Sequence, residues 1–181
     1  MNKIETKLKD CFILEPTVFK DKRGYFFESF NREKFNEIVG FDANFVQDNE
    51  SYSTKGVLRG LHYQTGDYAQ AKLVRVIKGK VLDVAVDIRK DSTTYGQHVT
   101  VELSEENKKQ FFVPRGFAHG FVVLSKTAIF SYKCDNYYNK SSEGGIIYND
   151  PILNIDWELP ENSLIVSEKD VVLPTLENSI I

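Results

Sequence analysis

Apolar residues arrive along this chain in short runs rich in β-branched side chains, divided by polar or glycine-containing breaks. The runs are Cys11 to Leu14, Phe45 to Gln47, Lys72 to Ile77, Val81 to Ile88, Val99 to Leu103, Gln110 to Val113, Gly120 to Leu124 and Ala128 to Lys133. Many short strands at near-regular spacing predict a sandwich or a barrel. The plainest strand is Val81 to Arg89, where Asp83, Ala85, Asp87 and Arg89 alternate with Leu82, Val84, Val86 and Ile88. That is the period of a strand with one face buried. Lys78-Gly79-Lys80 joins it to the preceding run, and glycine tolerates the positive φ of a tight turn, so Lys72 to Arg89 is expected to form one β-hairpin.

Helical signals are few. Asn31 is a candidate N-cap, Phe35 lies near Ile38 and Val39, and Gly40 is a stop, which together predict one short helix. Ser104 to Asn107 reads as a turn between strands and Ser141 to Gly145 as a polar loop, since each concentrates turn formers without an apolar period. Trp157, Leu159 and Leu164 give the segment after Pro151 an apolar side that is expected to pack on the sheet, with the residues beyond Pro174 fraying.

Composition changes this picture little. A chain of 181 residues, 41% hydrophobic and 27% charged, fits one globular domain spanning 1–181, and 13% aromatic content suits a sheet-rich protein. The net charge of −3 creates no global field for nucleic acid or anionic lipid, so a phosphate ligand has to be held by local cations. Cys11 and Cys134 offer neither a disulfide framework nor metal-type spacing and read as reduced packing residues. No stretch approaches the roughly 20 apolar residues of a membrane span, and Met-Asn-Lys-Ile-Glu-Thr lacks a signal-peptide core, so a cytoplasmic location is expected.

Two of the three histidines sit in glycine-flanked segments, Leu58-Arg59-Gly60-Leu61-His62-Tyr63-Gln64 and Pro114-Arg115-Gly116-Phe117-Ala118-His119-Gly120-Phe121. Glycine beside a polar side chain permits close approach of backbone and ligand, and it also marks simple turns. The paired segments resemble the motifs of the cupin superfamily, whose barrels hold a metal with a His-x-His pair, a Glu and a further His. Here Gln64 stands where the second His would be and Lys72 where a carboxylate is expected, which leaves too few ligands and adds a repelling cation. No catalytic metal and no cofactor are expected.

Along nearly the whole chain the resemblance narrows to the dTDP-4-dehydrorhamnose 3,5-epimerase family. It is carried by Phe19 to Glu28, Val46 to Ser51, Gly56 to Gln64, Ala71 to Val74, Asp83 to Arg89, Pro114 to Phe121, Tyr132-Lys133 before Tyr137-Tyr138, and Ser167 to Asp170. The resemblance implies a mainly β, cupin-type jelly-roll barrel with a few short helices and a homodimer. It also implies inversion at C3 and C5 of dTDP-4-dehydro-6-deoxy-D-glucose to give dTDP-4-dehydro-L-rhamnose.

Both carbons flank the C4 ketone, so the chemistry needs a base near neutral pKa, a cation or donor for the enolate oxygen, and an acid on the opposite face. By family matching, His62 is the base, Asp170 its carboxylate partner, Lys72 the cation and Tyr132 the acid. Imidazole and phenol, with reference pKa values of about 6.5 and 10, suit those roles. The same matching makes Tyr138 the thymine-stacking residue and Arg23 and Arg59 ligands of the nucleotide. Glu28, Gln47, Asp48, Asn49, Lys72, His119, Glu143 and Lys169 are further expected contacts of the sugar nucleotide. Arg23 and Glu28 lie in an N-terminal segment that in such folds crosses to the partner, so they are expected to serve the neighbour's site. Rival readings are an enzyme inverting C3 or C5 alone, a 3,4-ketoisomerase, and a non-catalytic nucleotide binder.

Overall fold

In a computed structural model that describes residues 1–180, the apolar runs become strands of two antiparallel sheets. The first half supplies β1 (Asn2–Glu5), β2 (Phe12–Glu15), β3 (Phe19–Asp21), β4 (Gly24–Phe26), helix α1 (Arg32–Val39), β5 (Gln47–Thr54), β6 (Val57–Gln64), β7 (Lys72–Lys78) and β8 (Lys80–Asp87). The second half adds β9 (His98–Ser104), β10 (Gln110–Val113), β11 (Phe117–Val123), β12 (Thr127–Cys134), β13 (Glu143–Gly145) and β14 (Ile165–Val166). One sheet runs β1-β2-β10-β7-β12-β5 and the other β13-β6-β11-β8-β9, with β14 pairing β6 in parallel and β3–β4 forming a separate exposed hairpin. This is the mainly β jelly roll that was expected, with one α-helix and several short 3-10 turns.

The expected hairpin across Gly79 does not form. β7 pairs with β10 and β12, whereas β8 pairs with β9 and β11, so Lys78 to Lys80 turns a corner between the sheets. Gly79 has a φ of +80°, and a Cβ there would lie 2.1 Å from the Thr127 carbonyl oxygen, so the corner admits only glycine. Each strand finds partners on both sides within its own sheet, and those long ladders prevail over the local turn.

The alternation in β8 is real, but its polar face is not solvated. Asp83 and Asp87 are fully buried. Val81 and Ala85 point into the space between the sheets with Val74, Phe111 and Phe130, while Leu82, Val84, Val86 and Ile88 pack outward against Leu153, Trp157 and Leu176. The C-terminal segment therefore covers the outer face, and the aspartates point inward.

Two further expectations are corrected. Ser141 to Gly145 is a 3-10 turn (Lys140–Ser142) followed by β13, which extends β6 with Glu143 opposite Gln64 and Gly145 opposite His62. The chain beyond Pro174 is anchored at Leu176, which is buried and whose N–H donates to Asp150 Oδ2 at 2.7 Å, while Ile181 lies outside the described residues. The buried Asp150 also accepts from Ile152 N and Leu153 N, tying the start of the strap to its end.

Helix α1 follows its signals: the Asn31 side chain accepts from Lys34 N at 3.2 Å and Gly40 closes the helix at φ +81°. Its Phe35 is buried with Phe12 and Phe112 on the outer face of the first sheet. Cys11 and Cys134 are buried free thiols. Among the described residues no helix is long and apolar enough to cross a membrane.

If the strap is part of the core, Leu176→Ala will lower unfolding stability by about 2–4 kcal/mol, seen as a reduced urea midpoint. A frayed tail would leave that midpoint unchanged.

Candidate active site

The two glycine-flanked histidine segments become β6 and β11, adjacent antiparallel strands with His62 directly opposite His119. Their backbones approach so closely that a Cβ on Gly60 would meet Gly120 Cα at 2.6 Å and the His119 carbonyl oxygen at 2.7 Å. Gly60 also has a φ of +123°. Glycine at 60 and 120 is thus a packing requirement, and its consequence is a pair of imidazoles facing one cavity.

Each imidazole has its own carboxylate. His62 Nε2 lies 2.7 Å from Asp170 Oδ1, with the His side chain 32% and the Asp side chain 5% exposed. Asp170 opens a 3-10 turn and is fixed by its own N–H donating to Ser167 Oγ at 3.1 Å and by Gly60 N–H donating to Oδ2 at 3.4 Å. An ionised carboxylate only accepts, so Nε2 carries the proton and Nδ1 is the basic nitrogen of neutral His62. Burial alone would raise the Asp170 pKa, but the hydrogen bond and charge of His62, with help from Gly60 and Ser167, hold it below the ordinary carboxylate value. His119 Nε2 meets both oxygens of Asp83, at 2.9 and 3.1 Å.

Across the cavity the first sheet contributes Lys72 from β7 and Tyr132 from β12, both half-buried. Desolvation pushes the Lys72 pKa down, against the attraction of Cys134, Asp83 and Glu143. Desolvation raises Tyr132, with Cys134 adding to it and Arg59 opposing, so its phenol stays protonated at neutral pH.

His62, Lys72 and Tyr132 line both lobes of the cavity. One lobe, of about 450 Å³, also holds Arg59, His119, Lys169 and Asp170. The other, of about 330 Å³, holds Gln47, Asn49, Tyr138 and Glu143. In the second lobe Tyr138 OH donates to Glu143 Oε2 at 3.1 Å, Lys169 Nζ pairs with Glu143 Oε1 at 2.7 Å, and Tyr138 N donates to Gln47 Oε1 at 3.1 Å. Another cavity, of about 580 Å³, lies elsewhere, against Phe12, Phe41 and Phe112, and contains none of these groups.

Three expected contacts do not reach this cavity. Asp48 lies between Gln47 and Asn49 on a strand, so it faces the other way and pairs with Lys133 at 2.9 Å. Arg23, with an 84% exposed side chain, pairs with Asp21 on the exposed hairpin, and Glu28 pairs with Lys34 and Asn31. Asp83 is the reverse case, a fully buried carboxyl behind His119 that the residue pattern did not single out for the site. Among the described residues no group of three or more His, Cys, Asp or Glu side chains could hold a metal ion.

The sequence profile of the dTDP-4-dehydrorhamnose 3,5-epimerase family matches residues 5–178. The chain belongs to this family. A family enzyme from Salmonella typhimurium is 54% identical over 181 residues, covering 98% of this chain and 97% of its own. The crystal structure of the Elizabethkingia anophelis dTDP-4-dehydrorhamnose 3,5-epimerase superposes with a TM-score of 0.95 at 60% identity, covering 98% of this chain and 97% of that one. The Legionella pneumophila dTDP-6-deoxy-D-glucose-3,5-epimerase, solved in complex with dTDP-4-keto-L-rhamnose, gives 0.94 at 52% identity with coverage of 98% and 93%. Membership makes this epimerase an isomerase of dTDP-rhamnose biosynthesis.

Because the folded Asp170 pKa is depressed, its stabilising contribution is present above the unfolded value near 4 and is lost as pH falls through the folded value. The stability gap between the native epimerase and Asp170→Asn is therefore expected to be open at neutral pH and to close below about pH 4. Urea unfolding across that range reads it directly.

Proposed function

We propose that this epimerase inverts C3 and C5 of dTDP-4-dehydro-6-deoxy-D-glucose with His62 as base and Tyr132 as acid. The supporting observation is that the two groups come from opposite sheets and line one cavity. A sugar ring lying between the sheets presents one face to each. Nδ1 of His62 takes the proton beside the ketone, the electron pair moves to the C4 oxygen as an enolate, and Tyr132 returns a proton to the other face of the same carbon. Lys72 offers its ammonium to the enolate oxygen, and Asp170 stabilises the imidazolium formed on His62. Hydrogen leaves and returns as a proton, so no redox cofactor takes part.

Tyr138 offers a flat face for thymine, and Arg59 a guanidinium for the diphosphate. Gln47, Asn49, His119, Glu143 and Lys169 complete the contacts from this chain. Arg23 and Glu28 serve the neighbouring copy in a homodimer, which accounts for Arg23 on, and Glu28 just after, a hairpin whose Phe19, Tyr25 and Phe26 are all exposed. The enzyme works in the cytoplasm on a freely diffusing nucleotide sugar.

In deuterated water, NMR of the substrate should show solvent exchange at both C3 and C5; exchange at one carbon alone would exclude the double inversion. His62→Ala should lower exchange at both carbons by about 10²–10⁴-fold. Tyr132→Phe should depress completed inversion more than exchange, and equal losses would undo the division of roles. Dimer formation is read by mixing Arg23→Ala with His62→Ala protein. Shared sites predict recovered activity from hybrids that pair an intact pocket with an intact hairpin, and no recovery would return Arg23 to its own chain or to the surface.

A further inference from the structure

The histidines of two Asp–His pairs face the cavity, and the mechanism above uses only one pair. The second, His119 with Asp83, lies beside the first because His119 faces His62 across the β6–β11 ladder and Ala85 on β8. Asp83 is fully buried on an inward face whose neighbours along β8 are Val81 and Ala85. An apolar side chain there would suit packing better, since a buried carboxylate is costly unless paired and hydrogen-bonded. Both of its oxygens lie within hydrogen-bond reach of one His119 nitrogen, the geometry of an ionised acceptor.

The groups around the Lys72 ammonium come from five strands. They are Asp83 from β8, His119 from β11, His62 from β6, Tyr132 and Cys134 from β12, and Glu143 from β13 beyond them. Of the possible anions, Cys134 is a neutral thiol, its pKa pushed up to about 11 by burial, and Glu143 is engaged by Lys169 and Tyr138. Asp83 is the carboxyl left in the interior to support a desolvated ammonium: burial pushes its pKa up, His119 and then Lys72 oppose that rise, and its two oxygens on one His119 nitrogen have the geometry of the ionised form.

We propose that Asp83 is a positioning residue of the enolate-binding wall, holding His119 opposite His62 and keeping Lys72 charged where negative charge develops on the C4 oxygen. This rests on the reading of Lys72 as the cation that meets the enolate. Asp83 touches no substrate atom in this role. It acts through two groups that do, so its removal changes turnover and its pH dependence more than binding.

The test follows solvent-deuterium exchange against pH in a Tyr132→Phe background, where the phenol cannot contribute an alkaline limb. Asp83→Asn removes the charge and Asp83→Glu keeps it. Asp83→Asn should retain dTDP affinity within about twofold, lose roughly 10- to 100-fold in exchange rate, as supporting-residue changes do, and move the alkaline limb to lower pH by about one unit or more. The direction follows because an ammonium deprived of a nearby anion loses its proton more easily. Asp83→Glu should leave the limb in place while slowing exchange. A folded Asp83→Asn protein with an unmoved limb overturns the proposal, as does a limb that moves equally in Asp83→Glu. Should Asp83→Asn lose dTDP binding altogether, Asp83→Glu decides alone: an unmoved limb with slowed exchange supports the role and a moved limb overturns it. Absence of exchange in the parent would instead strike the proposed function itself.

Discussion

Where β6 and β11 meet, neither strand has room for a side chain at its closest point: Gly60 and Gly120 lie backbone to backbone, and an added Cβ on either would fall within 2.7 Å of the other strand. That contact draws the sheet tight enough to seat His62 and His119 as direct neighbours. The placement of Asp170 follows as well, because Gly60 N–H is one of the donors that hold its carboxylate. A side chain at either position would separate the strands, turn the imidazoles out of register and loosen the carboxylate behind the proposed base. The chemistry thus depends on two residues that have no chemistry of their own.

An interior with a hollow in it has to be stable for other reasons. The first sheet is covered on its outside by α1, where Phe35 packs with Phe12 and Phe112. The second is covered by the strap that runs through Leu153, Trp157 and Leu176. With apolar layers on both outer faces and a third between the sheets, the fold can leave part of its centre to water and substrate. Full burial of Asp83 and Asp87 on the inward face of β8 is one consequence. Asp87 is satisfied locally by Arg89, Ser92 and Thr94, and those bonds outweigh its burial and hold its pKa to about 2. Asp83 has only the cavity groups to satisfy it.

How much of this the sequence disclosed depends on which side of each strand faces the hollow. Apolar runs such as Gln110 to Val113 and Ala128 to Lys133 were legible because both faces of their strands are largely covered. β5 was nearly invisible: Gln47-Asp-Asn-Glu-Ser-Tyr-Ser-Thr has polar residues outside for solvent and polar residues inside for the cavity, so no apolar period survives. The polar face of β8 misled for the same reason, since alternation reports two different environments and not which of them is water. The corner at Gly79 was read as a hairpin because a turn residue shows that the chain bends, whereas the choice of sheet is made by partner strands farther along the chain. The site residues came from resemblance more than from pattern; spacing alone would not have joined Asp170 to His62 or drawn Tyr132 to the same hollow.

The arrangement also bears on how one acid–base pair can serve two carbons. C3 and C5 flank C4 symmetrically, so a pocket that anchors the C4 oxygen leaves both acidic hydrogens at a similar distance from that anchor. Lys72 and His119 line the cavity from opposite sheets, and on the proposed mechanism the Lys72 ammonium is the anchor. His62 and Tyr132 are likewise fixed to opposite sheets. A small pivot of the ring about the anchored oxygen then exchanges one flanking carbon for the other without moving any protein group. The stereochemical burden falls on the rigidity of the two walls, and the ladders joining β12 to β5 and β7 and joining β11 to β6 and β8 supply it.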